Sequence, residues 1–413
     1  MNCELISIGD EILVGQIVNT NASTMSKMLN SIGCWVSRII VVGDKPKEIE
    51  DAINESLNRV SIVLTTGGLG PTNDDITRTI LCKIFDSSLR FDNSTYEHIE
   101  QIFTKRGTNV NKLNKDQAMV PEKAIILDNA LGTAPGFLFK TNGKILIAMP
   151  GVPFEMEHLM QTHVLKIIKV QFTLPEIHHR TLIVQGTYES LLAEKLSDYE
   201  INLPADIKLA YLPSPGLIRL RLTYRPPLGL SSTDLIDHAF SNLKSILRDN
   251  MVSDIDEPVS AAIGRILTAS GKTLGTAESC TGGYISSQIT MQPGASHYFK
   301  GSIIAYDNTI KTSILGVPED LLKSYGAVST QVVEAMATGA LSIINCDYAI
   351  ATSGIAGPDG GTIDKPVGTV CIAIASKSKV ISQQTVFTSR RDVNIQRATN
   401  AAFYMLFNEL RNQ

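Results

Sequence analysis

Three nucleophiles stand side by side in Gly275-Thr-Ala-Glu-Ser-Cys-Thr-Gly-Gly283: Ser279, Cys280 and Thr281. A short apolar run at 272–277 reads as a strand, and helical spacing follows at 284–291, so the three fall on a strand-to-helix turn and are presented to a ligand. The first N–H groups of that helix have no intrahelical acceptor and are expected to receive a phosphate or the oxyanion of an acyl-transfer intermediate. A catalytic cysteine needs a histidine or another cation beside it. Of the histidines only His297 lies within 253–413, which weakens both Cys280 and a Ser-His-Asp triad. A serine activated by lysine remains. Tyr306 and Lys311 flank a second strand-helix junction at 300–311, where Asn308 reads as the cap. Lys311 can act as base if burial leaves it neutral part of the time, with Tyr306 relaying or orienting the proton. The plainer alternative makes Ser279 a helix N-cap and Lys311 an ordinary surface lysine.

Other loops could hold the rest of a substrate. Thr352-Ser-Gly-Ile-Ala-Gly-Pro-Asp-Gly-Gly361 is a glycine-rich turn after a strand, suited to cradling an anion with backbone N–H groups. Arg390, Arg391 and Arg397 supply candidate cations for a phosphate. Far earlier in the chain, Thr66-Gly-Gly-Leu-Gly-Pro-Thr-Asn-Asp-Asp75 places three glycines before two carboxylates. That pattern fits phosphate held by backbone and a hard divalent cation held by Asp74 and Asp75. It fits equally well a plain turn in which Asn73 or Asp74 caps the next helix. Gly132-Thr-Ala-Pro-Gly136 and Met149-Pro-Gly-Val-Pro-Phe-Glu155 are further Gly/Pro loops after apolar runs, so one site built from several loops is expected.

The elements that must position these groups are legible as patterns. Apolar runs at 3–8, 35–42 and 61–66 alternate with helical spacing at 20–29 and 47–58, which predicts parallel strands joined by right-handed crossovers, with ligands at their carboxyl ends. Helices are expected at 76–85 and 94–105. From Thr173 the glycine-rich loops cease, and strands at 181–184 and 217–224 with helices at 188–196 and 233–247 predict a small α+β module. Arg219, Arg221 and Arg225 share a strand face there and read as solvated or salt-bridged. The acidic segment 254–258 marks a boundary. Beyond it, helices at 259–269, 330–344 and 393–410 and strands at 348–351, 370–375 and 380–387 predict another α/β domain.

A chain of 413 residues exceeds one hydrophobic core, since domains run to about 150 residues. Charged residues make up 19% and the net charge is −4, so neither disorder nor an overall basic surface is indicated, and nucleic acid is not expected as a partner. The cysteines are scattered without a CxxC pair, which predicts reduced thiols and no zinc site. With no signal peptide and no apolar run of about 20 residues, a cytoplasmic protein without membrane attachment is expected.

The motifs resemble a known family along essentially the whole chain. Gly9-Asp-Glu-Ile-Leu-Val-Gly-Gln-Ile-Val-Asn-Thr-Asn21, the 66–77 loop and Met149–Glu155 look like the amino-terminal domain of the CinA family (competence/damage-inducible protein), similar to the molybdopterin-binding MoaB/MogA fold. Thr276–Gly283, Tyr306–Lys311, Ser353–Thr362 and Lys365-Pro-Val-Gly-Thr369 look like its carboxyl-terminal domain, the nicotinamide mononucleotide deamidase PncC. This resemblance implies an α/β protein of three parts: a MoaB/MogA-like domain at 1–172, a KH-like module at 173–252 and the deamidase domain at 253–413. It implies conversion of nicotinamide mononucleotide to nicotinate mononucleotide and ammonia, without a cofactor, by Ser279, Tyr306 and Lys311. Substrate would lie against Cys280, Thr281, Gly282, Gly283, Ser353, Gly354, Ala356 and Gly357, with Arg391 or Arg397 at the phosphate. The family often has Gly-Asp-Arg before its last helix where this chain has Ser389-Arg-Arg391, so the phosphate-binding arginine is open. The amino-terminal domain is implied to be an ADP-ribose pyrophosphatase using a divalent metal ion, with ADP-ribose on Gly67, Gly68, Gly70 and Thr72, the metal at Asp74 and Asp75 joined by Asp10, and a homodimeric assembly. Competing readings are an amino-terminal domain that only binds a pterin or nucleotide, and a scaffold for competence or DNA repair.

Overall fold

A computed structural model describes residues 1–72, 74–226 and 232–411. The capping role considered for Asn73 lies outside them. The chain forms two compact units, one from Met1–Ile177 with Arg225–Ser231, the other from His178–Tyr224 with Ser232–Gln413.

The first unit contains strands β1 (Asn2–Ile8), β2 (Trp35–Val42), β3 (Ile62–Thr66), β4 (Leu89–Phe91), β5 (Met119–Pro121), β6 (Ile125–Leu127), β7 (Gly136–Thr141) and β8 (Lys144–Met149). Six of them form one sheet in the order β2-β1-β3-β8-β7-β6, while β4 and β5 pair separately. The β2/β1 and β1/β3 pairs are parallel, as the alternating pattern predicts; β8 also pairs parallel with β3, and β7 and β6 add antiparallel strands at one side. Strand β3 is buried along its whole length because both faces of the sheet are covered. Leu5, Ile62 and Leu64 pack with helix Thr20–Asn30 and the helical segment 153–171 on one side. Ile6, Val63 and Leu146 pack with helices Pro46–Arg59 and Thr77–Ile84 on the other. The two-residue alternation of a strand sends adjacent residues into opposite cores.

The second unit contains strands β9 (His178–Val184), β10 (Ile207–Ser214), β11 (Leu217–Tyr224), β12 (Met251–Ser253), β13 (Leu274–Glu278), β14 (Phe299–Ile304), β15 (Tyr348–Gly354), β16 (Thr369–Ser376) and β17 (Val380–Val386). An antiparallel sheet, β10-β11-β9-β12, packs on helices Glu189–Ile201 and Asp234–Ile246. A second sheet, β14-β13-β15-β16-β17, is parallel around β13 and antiparallel from β15 onward. These sheets share a core. Ile183, Leu217 and Val252 join Val259, Ile350 and Phe403, and Asn400 Nδ2 donates to Pro215 O at 2.7 Å. Helix Thr330–Ile344 covers the opposite face of the second sheet, against Ala349, Ala351 and Ala373, small residues that let it approach closely. No helix among the described residues is long and apolar enough to cross a membrane.

Candidate functional site

Strand β13 ends at Glu278, and residues 279–283 turn into helix Tyr284–Thr290. Glycine is required at the end of that turn, where Gly282 and Gly283 adopt φ of 58° and 96°, left-handed values that a side chain disfavours. The next strand, β14, leads through Tyr306 to helix Asn308–Ser313, which carries Lys311. Ser279, Cys280, Tyr306, Lys311, Ser353, Gly354, Ala356 and Arg391 meet around one cavity of about 240 Å³. Of the residues expected at this site, these eight are brought together.

The cavity has a graded depth. Lys311 is 1% exposed and Ser279 8%, whereas Tyr306 is 61% exposed and Arg391 stands open to solvent. The reactive pair therefore lies at the floor and the tyrosine and arginine at the mouth. Lys311 Nζ donates to Tyr306 O at 3.1 Å. Burial disfavours its ammonium and lowers its pKa from the ordinary lysine value, against a partial opposing pull from Asp307. Lys311 is thus no surface lysine. The Tyr306 hydroxyl accepts from Arg391 at 3.2 Å, so the phenol faces a guanidinium.

Two competing nucleophiles recede. Burial pushes the Cys280 thiol up to about 12, which keeps it protonated at neutral pH. Thr281 does not line the cavity; its hydroxyl is bonded to that of Thr352 at 2.8 Å. Gly282 and Gly283 shape the turn without lining the cavity, and Gly357 holds Arg391 through its carbonyl at 2.8 Å. Arg397 is not part of the site: its backbone lies against Gly216 in the β10–β11 turn. Arg390 is paired with Asp392 at 2.8 Å on the surface. Arg391 is accordingly the arginine at the cavity.

The expected oxyanion hole is corrected. Gly283 N and Ile285 N donate to Glu278 Oε2 at 2.9 and 3.0 Å, and Ser286 N donates to Glu278 Oε1 at 2.8 Å. An internal carboxylate already occupies the helix mouth. Ser279 is also not the N-cap, a position held by Gly283. Likewise Asp307, not Asn308, caps the lysine-bearing helix, accepting from Thr309 N at 2.8 Å. Asn308 is thereby left to line the cavity with Ala327 and Val328. Those three were missed by sequence reasoning: Asn308 was read as a cap, and nothing local marks the loop at 327–328, whose Ala327 carbonyl accepts from Ser353 Oγ at 2.7 Å.

In the first unit, the Gly/Pro loops do converge. Gly67, Gly68, Gly70, Asp74 and Asp75 line a cavity of about 360 Å³ with Gly9, Thr133, Pro150 and Gly151. A Cβ on Gly67 would collide with the Ile8 carbonyl and one on Gly68 with the Thr77 hydroxyl, so the loop must approach its neighbours as bare backbone. Of the three carboxylates expected to hold a metal, Asp74 and Asp75 line this cavity and Asp10 does not. Asp75 accepts from Gly70 N at 2.7 Å and from Thr72 N at 2.9 Å, which folds the loop on itself. Asp10 and Asp44 exchange backbone-to-carboxylate hydrogen bonds at 3.0 and 3.3 Å, and neither Asp10 nor Thr72 lines the cavity. Among the described residues no group of three or more His, Cys, Asp or Glu is placed to hold a metal ion. Glu11, Asp44 and Glu155 line this cavity too; Glu11 and Glu155 lie within motifs singled out in the sequence without a role of their own, and Asp44 carries no local signal. Crowding by Asp10, Glu11 and Asp74 adds to burial in raising the Asp44 pKa.

Comparison with known proteins matches both halves of the chain. The family described as "CinA C-terminal domain" matches residues 256–410, and the one described as "Probable molybdopterin binding domain" matches residues 4–170. A CinA-like protein of Flavobacterium psychrophilum is 40% identical over 417 positions, covering 99% of each chain. One from Cytophaga hutchinsonii is 41% identical, covering 99% of this chain and 98% of its own. A crystal structure of a competence-damaged protein (CinA) superfamily member from Klebsiella pneumoniae is 32% identical, with a TM-score of 0.37, and covers 38% of this chain and 97% of its own.

Proposed function

Because this chain belongs to the CinA family, with a MoaB/MogA-like molybdopterin-binding domain ahead of its CinA domain, we propose that the second-unit cavity hydrolyses the carboxamide of nicotinamide mononucleotide. The observation that carries this reading is a lysine buried at the floor of the same cavity as a turn-borne serine, and driven toward its neutral form. Neutral Lys311 takes the proton of Ser279 as Oγ attacks the carboxamide carbon. The tetrahedral oxyanion is met by the amide of Cys280, a residue of the cavity wall whose N–H has no acceptor in another residue among the described residues. Collapse breaks the C–N bond, Lys311 returns the proton to nitrogen, and ammonia leaves. Water then attacks the ester, giving up a proton to Lys311, which passes it to Ser279 as nicotinate mononucleotide departs. At the mouth, Arg391 meets the phosphate and holds the Tyr306 hydroxyl.

The first-unit cavity is read as a nucleotide site for ADP-ribose, supported by its bare-backbone loop and by the several loops that wall it. The test of the main reading is ammonia release from nicotinamide mononucleotide by the purified chain. Release matched by nicotinate mononucleotide and abolished in Ser279→Ala supports it, and turnover retained in that variant contradicts it.

A further inference from the structure

Glu278 is a fully buried carboxylate that the mechanism above does not use. It is the last residue of β13 and the immediate neighbour of the nucleophile. One carboxylate oxygen receives Gly283 N and Ile285 N, the other receives Ser286 N, and the Thr276 hydroxyl lies 3.4 Å from that second oxygen. Among the described residues it forms no ion pair, and its partners are backbone amides and the Thr276 hydroxyl. Its main chain is equally engaged. Ala305 N donates to Glu278 O at 2.8 Å, and the next amide along, Ser279 N, donates to Thr352 O at 3.0 Å. One residue thus ties the turn bearing Ser279 to the strand end that leads into Tyr306 and Lys311.

A capping group normally precedes its helix by a residue and accepts one amide. Here the cap reaches over the five-residue loop 279–283 and accepts three, so the loop is closed into a fixed bend. We infer that Glu278 is a positioning residue for the proposed amidase reaction: its carboxylate, locked into the helix mouth, sets where Ser279 Oγ stands relative to Lys311. This inference rests on the reading of the second-unit cavity as an amidase site. It requires a carboxylate and not its isostere, because a glutamine would turn an NH₂ group toward amide donors whichever way its side chain is flipped.

The test compares the full-length chain with Glu278→Gln and Glu278→Asp. For each, kcat and KM for nicotinamide mononucleotide are measured per folded molecule, the folded fraction being taken from circular dichroism below the melting transition. Phosphonylation of Ser279 by a fluorophosphonate probe is followed in parallel by intact mass. A displaced nucleophile costs on the order of 10²-fold in rate. Glu278→Gln is therefore expected to lose about that much in kcat and in Ser279 labelling, with KM within about twofold because Tyr306, Asn308 and Arg391 still wall the mouth. Glu278→Asp, which keeps the charge one methylene short, is expected to recover part of the loss. A Glu278→Gln variant that melts lower yet keeps wild-type kcat per folded molecule overturns the inference and leaves the amidase reading standing. A parallel rise in KM overturns it as well, since the residue would then only hold the cavity open. Wild-type protein that neither releases ammonia nor is labelled at Ser279 sinks the reading itself, and the inference with it.

Discussion

Replacing Lys311 by methionine should abolish activity and at the same time stabilise the protein. The side chain is 1% exposed and faces no carboxylate within ion-pair distance among the described residues, its one hydrogen bond running to a backbone carbonyl. Its pKa is depressed chiefly by burial. The sign follows from proton binding: between the folded and unfolded pKa values the unfolded chain holds more protons, so stability rises with pH across that window. Well below it, both states are protonated and the native protein carries the whole cost of a buried ammonium. Methionine has nearly the same shape and no charge. Removing the charge relieves that cost, and loss of the bond to Tyr306 O gives back about 1 kcal/mol of it. A higher melting temperature than wild type is therefore expected near pH 7. The gain should shrink toward the ordinary lysine pKa of about 10.4. Loss of the base should lower kcat by about 10²–10⁴-fold, read as ammonia release, and remove the acidic limb of the pH–rate profile. A variant that melts more than about 2 kcal/mol lower, or turns over within tenfold of wild type, would refute the reasoning.

Cys280→Ala should keep kcat within about threefold, because a thiol with a pKa near 12 contributes no thiolate at neutral pH; a fall beyond tenfold in ammonia release would return the cysteine to the mechanism. Arg391→Ala should raise KM for nicotinamide mononucleotide about 10–100-fold by removing a charge-assisted phosphate contact, yet leave the unphosphorylated riboside little changed; equal losses for both would deny the phosphate contact. Asp75→Asn should loosen the glycine loop by weakening the bonds from Gly70 N and Thr72 N, lowering ADP-ribose affinity in calorimetry by about tenfold with ammonia release unaltered. An unchanged affinity would detach that loop from the ligand.

Much of this arrangement is readable in the sequence where the signal is local. Alternating apolar runs and helical spacing fixed the parallel strands of the first unit, and the strand-turn-helix pattern around Ser279 and around Lys311 put both groups at strand ends that prove to be neighbours, β13 and β14. What escaped depends on partners set by the fold. A glutamate closing a strand looks like any other strand residue until the helix five residues on folds back over it, so amides taken as an anion site were already filled by Glu278. Asp74 and Asp75 show the same ambiguity in reverse. A carboxylate beside glycines reads alike as a metal ligand and as the acceptor that shapes its own loop, and only the folded loop shows that Asp75 accepts from Gly70 N and Thr72 N. Asn308 and Asp307 are both good caps by type; only the coordinates decide that Asp307 caps and Asn308 turns to the cavity.

The central claim is that Ser279 attacks the carboxamide carbon of a pyridine nucleotide. Quenching the chain in acid within milliseconds of mixing with nicotinamide mononucleotide, then measuring its intact mass, tests this most directly. An adduct with the mass of the nicotinate mononucleotide acyl group, mapped to Ser279, appearing before ammonia reaches steady state and missing in Ser279→Ala, is the predicted result. Steady ammonia release with no adduct at any time, undiminished in Ser279→Ala, would contradict it.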